Sequence, residues 1–294
     1  MKKILVTGGT GFVGLNLVRR LVSLGYETHV IVRKNSNLEE IKSLEGNIVI
    51  HIYNQSLQSM IEIFKKASPD LVVHLASLFI SEHRVEDIDE LFKSNILFGT
   101  HLLEAMKQED VSYLINTGTN WQNYCSSEYN PVNLYAATKE AFENIAKFYT
   151  ESTALRMLTL RLYDTYGPND KRPKIFSLFN KISQTGESLD MSPGDQLLGF
   201  VHIDDIVDAF LVAMEQITNK EQYFNEVYFL TPEKYYSLKE VARIYEAVKA
   251  VRLNINWGLR PYRSREVMKP FEGNRLPGWV PKIDLKDGIG RLSE

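Results

Sequence analysis

The chain has 294 residues, 44% of them apolar and 24% charged, with a formal net charge of −3. Such a length and composition suit about two folded domains and exclude intrinsic disorder and a long coiled coil, while the small net charge gives no bulk attraction to nucleic acid or an anionic membrane. A single cysteine, Cys125, excludes a disulfide framework within the chain, and the longest uncharged apolar run, residues 71–81, is far short of the roughly 20 that cross a bilayer. A cytoplasmic protein that binds neither nucleic acid nor membrane is expected.

Residues 3–6 read as a buried strand that ends in glycines, and 12–24 carry apolar residues at helical spacing up to Gly25. Further strands are expected at 28–32, 49–53 and 71–75, with a helix over 57–66. This rhythm predicts parallel strands joined by right-handed crossovers. Long helices follow at 85–108 and 133–150, with strands at 113–116 and 157–162. From Tyr166 onward Gly-Pro and Arg-Pro pairs punctuate shorter elements, so a lobe boundary falls near residue 165.

Thr7-Gly8-Gly9-Thr10-Gly11-Phe12-Val13-Gly14 directly follows the first strand and opens the first helix. Gly8, Gly11 and Gly14 allow a tight turn, close approach to a pyrophosphate, and close packing of helix on strand. With the anion-attracting helix N-terminus behind them, Gly8, Thr10, Gly11, Phe12, Val13 and Gly14 are expected to hold a dinucleotide. At the end of the second strand stand Arg33 and Lys34, and no carboxylate occurs until Glu39. A carboxylate about 20 residues past the glycines would bind the ribose of NAD, whereas two cations suit the 2′-phosphate of NADP. NADPH is therefore the expected cofactor, with NAD as the alternative.

Tyr135 and Lys139 lie four apart, on one face of a helix, with small residues between them. At this point the chain resembles the extended short-chain dehydrogenase/reductases, the group of nucleotide-sugar epimerases, dehydratases and ketoreductases. The resemblance rests on the glycine loop, His74-Leu75-Ala76-Ser77, residues 95–105, the Tyr135/Lys139 pair, Tyr166-Gly167-Pro168 and Val201-His202-Ile203-Asp204-Asp205. It implies an α/β fold: a Rossmann-type doubly wound parallel sheet over residues 1–165, to which 200–230 return, and a smaller α/β C-terminal substrate-binding lobe over 166–294. It also implies that Leu75, Ala76, Ser77 and Asn95 border the cofactor and that Tyr135 is the general acid/base. Lys139 would bind the nicotinamide ribose and lower the tyrosine's pKa. Thr117 aligns with the third catalytic hydroxyl, and Thr119 is the reserve candidate and a substrate contact.

The departures from the family pattern are informative. Dehydratases of the group carry Thr-Asp-Glu where this chain has Thr117-Gly118-Thr119, so an elimination would lack its acid and base. Ketone reduction or epimerisation remains. Asp164 stands where Asn is usual, and no arginine precedes Val201. Asp164 and a clamp drawn from Arg172, Lys174, Arg260, Arg263 and Arg265 are the expected contacts of a nucleotide-sugar substrate. The stretches 116–124 and 133–139 look most like bacterial nucleotide-deoxysugar 4-ketoreductases, acting on a CDP- or dTDP-linked 4-keto-6-deoxyhexose in surface polysaccharide or deoxysugar biosynthesis. A 4-epimerase recycling bound NAD is the alternative, and a non-catalytic dinucleotide-binding scaffold the remote one.

The six histidines make no metal-ligand spacing, and no metal is expected. The two long helices carry apolar residues on more than one face, among them Phe92, Ile96, Phe148 and Tyr149. Such helices bury against something besides their own sheet, and a homodimer is expected.

Overall fold

The computed structural model describes residues 2–44, 46–219 and 224–292; residues 1, 45, 220–223, 293 and 294 lie outside that description. Strands β1 (Lys3–Thr7), β2 (Glu27–Arg33), β3 (Ile48–Tyr53) and β4 (Leu71–His74) enclose helices α1 (Phe12–Ser23) and α2 (Leu57–Ala67). After them come α3 (Ile88–Phe92), α4 (Phe98–Gln108), β5 (Tyr113–Thr119), α5 (Leu134–Ser152) and β6 (Arg156–Leu162). The strand cores are apolar in consecutive positions because both faces are covered. Ile4, Leu5 and Val6, for example, are all fully buried.

Chain residues beyond Leu162 form β7 (Asp164–Tyr166), α6 (Ile175–Thr185), β8 (Leu189–Met191), β9 (Leu197–His202), α7 (Ile203–Thr218) and β10 (Asn225–Phe229). The last elements are β11 (Tyr235–Ser237), α8 (Leu238–Lys249), β12 (Ile255–Trp257) and α9 (Leu285–Gly290). The main sheet has seven strands in the order β10-β6-β5-β4-β1-β2-β3, and every neighbouring pair is parallel. This is a Rossmann-type α/β fold. Strand order reverses between β1 and β4, which opens a crevice at their C-terminal ends, the place where ligands bind in such sheets. Helix α7 packs its apolar face on the side of the sheet that α1 covers, while α2, α4 and α5 cover the other. A third apolar cluster joins Tyr166, α6, α8 and α9.

The helix expected over 85–108 is interrupted. It begins as a single 3₁₀ turn, Val85–Asp87, and between α3 and α4 the segment Lys93–Leu97 winds as a wider π turn. Apolar periodicity does not report which carbonyl an amide bonds to, so the break is invisible to it. Its physical reason is Asn95, which the wide turn aims inward at four polar partners. The strand expected at 113–116 runs on to Thr119, paired with β6 up to Leu162.

Candidate active site

At the crevice the backbone itself makes the cradle. Gly8 has φ +72°, and a Cβ there would lie 2.6 Å from the Ala76 nitrogen. A Cβ on Gly14 would fall 2.1 Å from the Gly8 carbonyl oxygen. Only glycines let β1, the end of β4 and the start of α1 come this close. Gly11 is the N-cap of α1 and makes no side-chain cap, and the first turn holds no acidic residue. The free N–H groups and the positive end of the helix therefore face the crevice, and this arrangement fits a dinucleotide pyrophosphate. Behind the loop, the Thr7 hydroxyl accepts the Ala76 N–H at 3.1 Å and shares a hydrogen bond with His74 Nδ1 at 2.8 Å. Burial holds that histidine neutral, with its pKa down to about 3.

Arg33 ends β2 and Lys34 follows it, both exposed, with no salt bridge to either among the described residues. Ser36 shapes this turn: its hydroxyl accepts the Arg33 N–H at 3.0 Å. Leu75 and Ala76 pack against the two cores at the end of β4. Asn95 accepts the Leu78 N–H at 2.7 Å and the Ser77 hydroxyl at 3.2 Å, and donates to the Leu78 carbonyl and to Thr138 Oγ1. It thus ties the loop after β4 to α5.

Helix α5 starts at Asn133, whose side chain caps the Ala136 N–H and also donates to the Ser81 carbonyl. Tyr135 sits in the first turn, half-buried, and Lys139 one turn later, 3% exposed. Burial pushes the Tyr135 hydroxyl up to about 12, opposed by a hydrogen bond with Ser77. It also brings Lys139 down to about 8, opposed by the negative charge of Glu143. The resemblance implies a lowering of the tyrosine's pKa by Lys139; here burial raises it, and the hydrogen bond with Ser77 is what opposes that rise.

The strand end distinguishes the two threonines. Thr119 is spent on structure: its Oγ1 accepts the Trp121 N–H and caps the turn Asn120–Gln122, while its own N–H is held by Gln122 Oε1 at 2.9 Å. The Thr117 hydroxyl is buried and has no hydrogen-bond partner. A buried hydroxyl without a partner is costly and is found where something else completes it.

Two groups of side chains that sequence reasoning did not single out complete the site. Arg161 on β6 bonds Glu143 at 2.7 Å and Glu140 at 3.0 Å, and Gln122 donates to both carboxylates. This knot, tight against Gly118, fixes α5 to the ends of β5 and β6. Glu143, one turn past Lys139, was its readable signal. The second group is aromatic. The Phe79 ring meets Tyr135 edge-on, centroids 5.0 Å apart, and Trp121 at 5.6 Å. Lys174 Nζ lies 5.1 Å from the Phe79 centroid and 3.4 Å from Asp164.

The other expected substrate cations, Arg260 apart, each have partners of their own. Arg172 stacks over Phe12, 4.4 Å from its centroid, with its fork held by Asp170 and Thr165. That places it beside the glycine loop. Arg263 lies 3.8 Å from Glu82, and Arg265 stacks on Tyr124 and donates to Asn130. No salt bridge or ring contact involves Arg260 among the described residues. No group of three or more potential metal ligands occurs among the described residues, and no helix there is long and apolar enough to cross a membrane.

Comparison with known proteins follows the same lines. The model of the NAD dependent epimerase/dehydratase family matches residues 4–228. The chain is 29% identical to CDP-abequose synthase of Salmonella muenchen over 99% of this chain and 97% of that protein. Similarity to CDP-abequose synthase of Yersinia pseudotuberculosis is also 29%, over 91% of each chain. Among solved structures, UDP-glucose 4-epimerase of Thermotoga maritima with UDP-glucose superposes with a TM-score of 0.85 at 24% identity, over 98% of this chain and 96% of that one. At that identity the likeness shows the fold alone.

Proposed function

The chain belongs to the NAD dependent epimerase/dehydratase family of NAD(P)-dependent enzymes, and within it we propose that it is a cytoplasmic NADPH-dependent 4-ketoreductase of a nucleotide-linked 4-keto-deoxysugar. The observation that carries the reading is the end of β2. There Arg33 and Lys34 stand exposed, with no carboxylate in the turn to take a ribose hydroxyl. A reductase consumes NADPH, whereas an epimerase of this kind recycles NAD. The similarity to CDP-abequose synthases over nearly the whole chain supports a deoxysugar substrate.

In this reading Arg33, assisted by Lys34, grips the 2′-phosphate, and Gly8, Thr10, Gly11, Phe12, Val13 and Gly14 receive the pyrophosphate. Leu75, Ala76, Ser77 and Asn95 border the cofactor, and Arg172 adds a cation on the Phe12 side. The bound cofactor supplies the hydride. Tyr135 gives its hydroxyl proton to the sugar's carbonyl oxygen, so that oxygen becomes a hydroxyl, and the phenol's high pKa keeps the proton available at neutral pH. Thr117 donates its unpartnered hydroxyl to the same oxygen as charge develops there. Lys139, charged below about pH 8, holds the nicotinamide ribose. With Gly118 and Thr119 at the strand end, the acid and base of a dehydratase are missing. Lys174, paired with Asp164, is the cation nearest the tyrosine's aromatic neighbour and takes the substrate phosphate.

Phe92, Leu97 and Phe148 are 47%, 47% and 62% exposed on the π-turned helix and α5, and we propose that they meet their counterparts in a homodimer, which light scattering would reveal. The functional test is an assay of purified protein with NADPH and CDP- or dTDP-linked 4-keto-deoxysugars. One NADPH consumed per sugar is expected. Interconversion of 4-epimers without net cofactor use would replace the reading with epimerisation, and cofactor binding without turnover would leave only a scaffold.

A further inference from the structure

Lys139 is buried, and no salt bridge reaches it among the described residues. An ammonium taken out of water gives up its proton readily unless a negative charge stands near. The groups around it come from three elements. On α5, burial pushes the Tyr135 hydroxyl up to about 12, so it keeps its proton. From β4, His74 is held neutral by burial. From β6 comes Arg161, which binds both Glu140 and Glu143, so this knot of one guanidinium and two carboxylates carries one net negative charge. Glu143 is the carboxylate one helical turn past Lys139, on the same face of α5. Both its oxygens are engaged elsewhere: one accepts the Gln122 amide N–H at 2.8 Å, the other the Arg161 guanidinium at 2.7 Å. Gly118 lies so close that a Cβ there would meet a Glu143 oxygen at 2.8 Å. Arg161, charged at any working pH, keeps Glu143 a carboxylate.

We propose that Glu143 is a positioning residue for cofactor binding: clamped by Arg161 and Gln122, it keeps the Lys139 ammonium charged without occupying the N–H donors that the nicotinamide ribose takes. This rests on the NADPH-dependent reading and deepens it. A carboxylate in direct contact would also hold the ammonium charged, but it would compete with the ribose for the three donors of the lysine. With no carboxylate near, burial alone would strip the proton from Lys139 close to neutral pH. The clamp stands between these extremes, since it supplies charge and withholds contact. Water does little to screen that charge, because Glu143 is only 9% exposed.

Cofactor affinity, measured without turnover, tests this directly. NADPH is titrated by calorimetry into the parent and its variants between about pH 6 and 10, with Lys139→Met as the reference whose profile lacks the lysine's titration. The parent should lose affinity above about pH 8. Glu143→Gln, nearly isosteric, should move that midpoint down by about one unit: a near opposite charge shifts a pKa by about 1–3 units, and Arg161 shares this one. Its affinity at about pH 6 should stay within about threefold of the parent's. Glu143→Asp restores the charge and should return the midpoint at least halfway. Gln122→Met frees the carboxylate to close on Lys139, so the midpoint should rise and NADPH should bind more weakly at neutral pH. That variant decides the matter if circular dichroism shows the Gln variant unfolded. An unmoved midpoint in Glu143→Gln, no return in Glu143→Asp, affinity lost at every pH by a folded Gln variant, or a midpoint that does not rise in Gln122→Met would overturn the proposal. Midpoints that move as expected while no 4-keto sugar is reduced would overturn the ketoreductase reading and leave the role of Glu143 standing; a parent that binds no NADPH would overturn both.

Discussion

The glycine loop at the end of β1 and the rim formed by Phe79, Trp121 and Lys174 face one crevice, yet they are specified in different ways. The loop works through backbone: a positive φ at Gly8, and a Gly14 whose Cβ would fall 2.1 Å from a carbonyl oxygen. Such demands force particular residue types at fixed spacing within one stretch of chain. The rim works through side chains carried by three separate segments, and none of them alone obliges the others. Cofactor binding is thus written locally, and substrate contact only where the fold brings distant residues together.

The largest expected effect tests the locally written half. Tyr135→Phe keeps the ring contact with Phe79 and removes only the proton donor, so kcat should fall by ~10²–10⁴ with folding unchanged. Turnover at the parent rate would remove Tyr135 from the reaction. Next comes the cofactor choice. Arg33→Ala should weaken NADPH by ~1.5–3 kcal/mol, about one to two decades in Kd, and leave NADH nearly untouched. Equal affinities of the parent for both cofactors would overturn it.

How far the sequence could be read follows from the same contrast. The parallel sheet, the switch-point loop and the Tyr135/Lys139 helix were legible because each repeats a local pattern. Thr117 was preferred to Thr119 by the family alignment alone; that one caps a turn while the other's hydroxyl is unpartnered was not legible. Arg172 was read as a substrate clamp by its position after Gly167-Pro168, and its contacts with Asp170 and Phe12 were not legible. Asn95 was readable as a family residue, and the π turn that aims it was not. Phe79 carried no signal beyond being aromatic, because its partners are 42 and 56 residues away in Trp121 and Tyr135.

Two smaller effects sharpen the contrast. Because burial brings Lys139 to about 8, its ammonium is present below that pH and lost above it. A pH profile of kcat/KM for reduction should hold through neutrality and then fall by at most about tenfold per unit above pH 8. A flat profile to pH 10 would detach Lys139 from cofactor binding. On the rim, Lys174→Ala should raise KM for the nucleotide sugar about fivefold, roughly 1 kcal/mol for a part-exposed charge, with kcat and NADPH affinity unchanged. A rise in the NADPH Kd instead would move Lys174 to the cofactor's side of the crevice.

The central claim is that the sugar carbon receives its hydride from a consumed nicotinamide. NADPH deuterated at C4 of the nicotinamide, on the transferred face, should deliver one deuterium per product molecule to C4 of the sugar, with one equivalent of NADP formed, as mass spectrometry and NMR would read. A product that carries no deuterium while its C4 configuration interconverts, and NADPH left unconsumed, would contradict it.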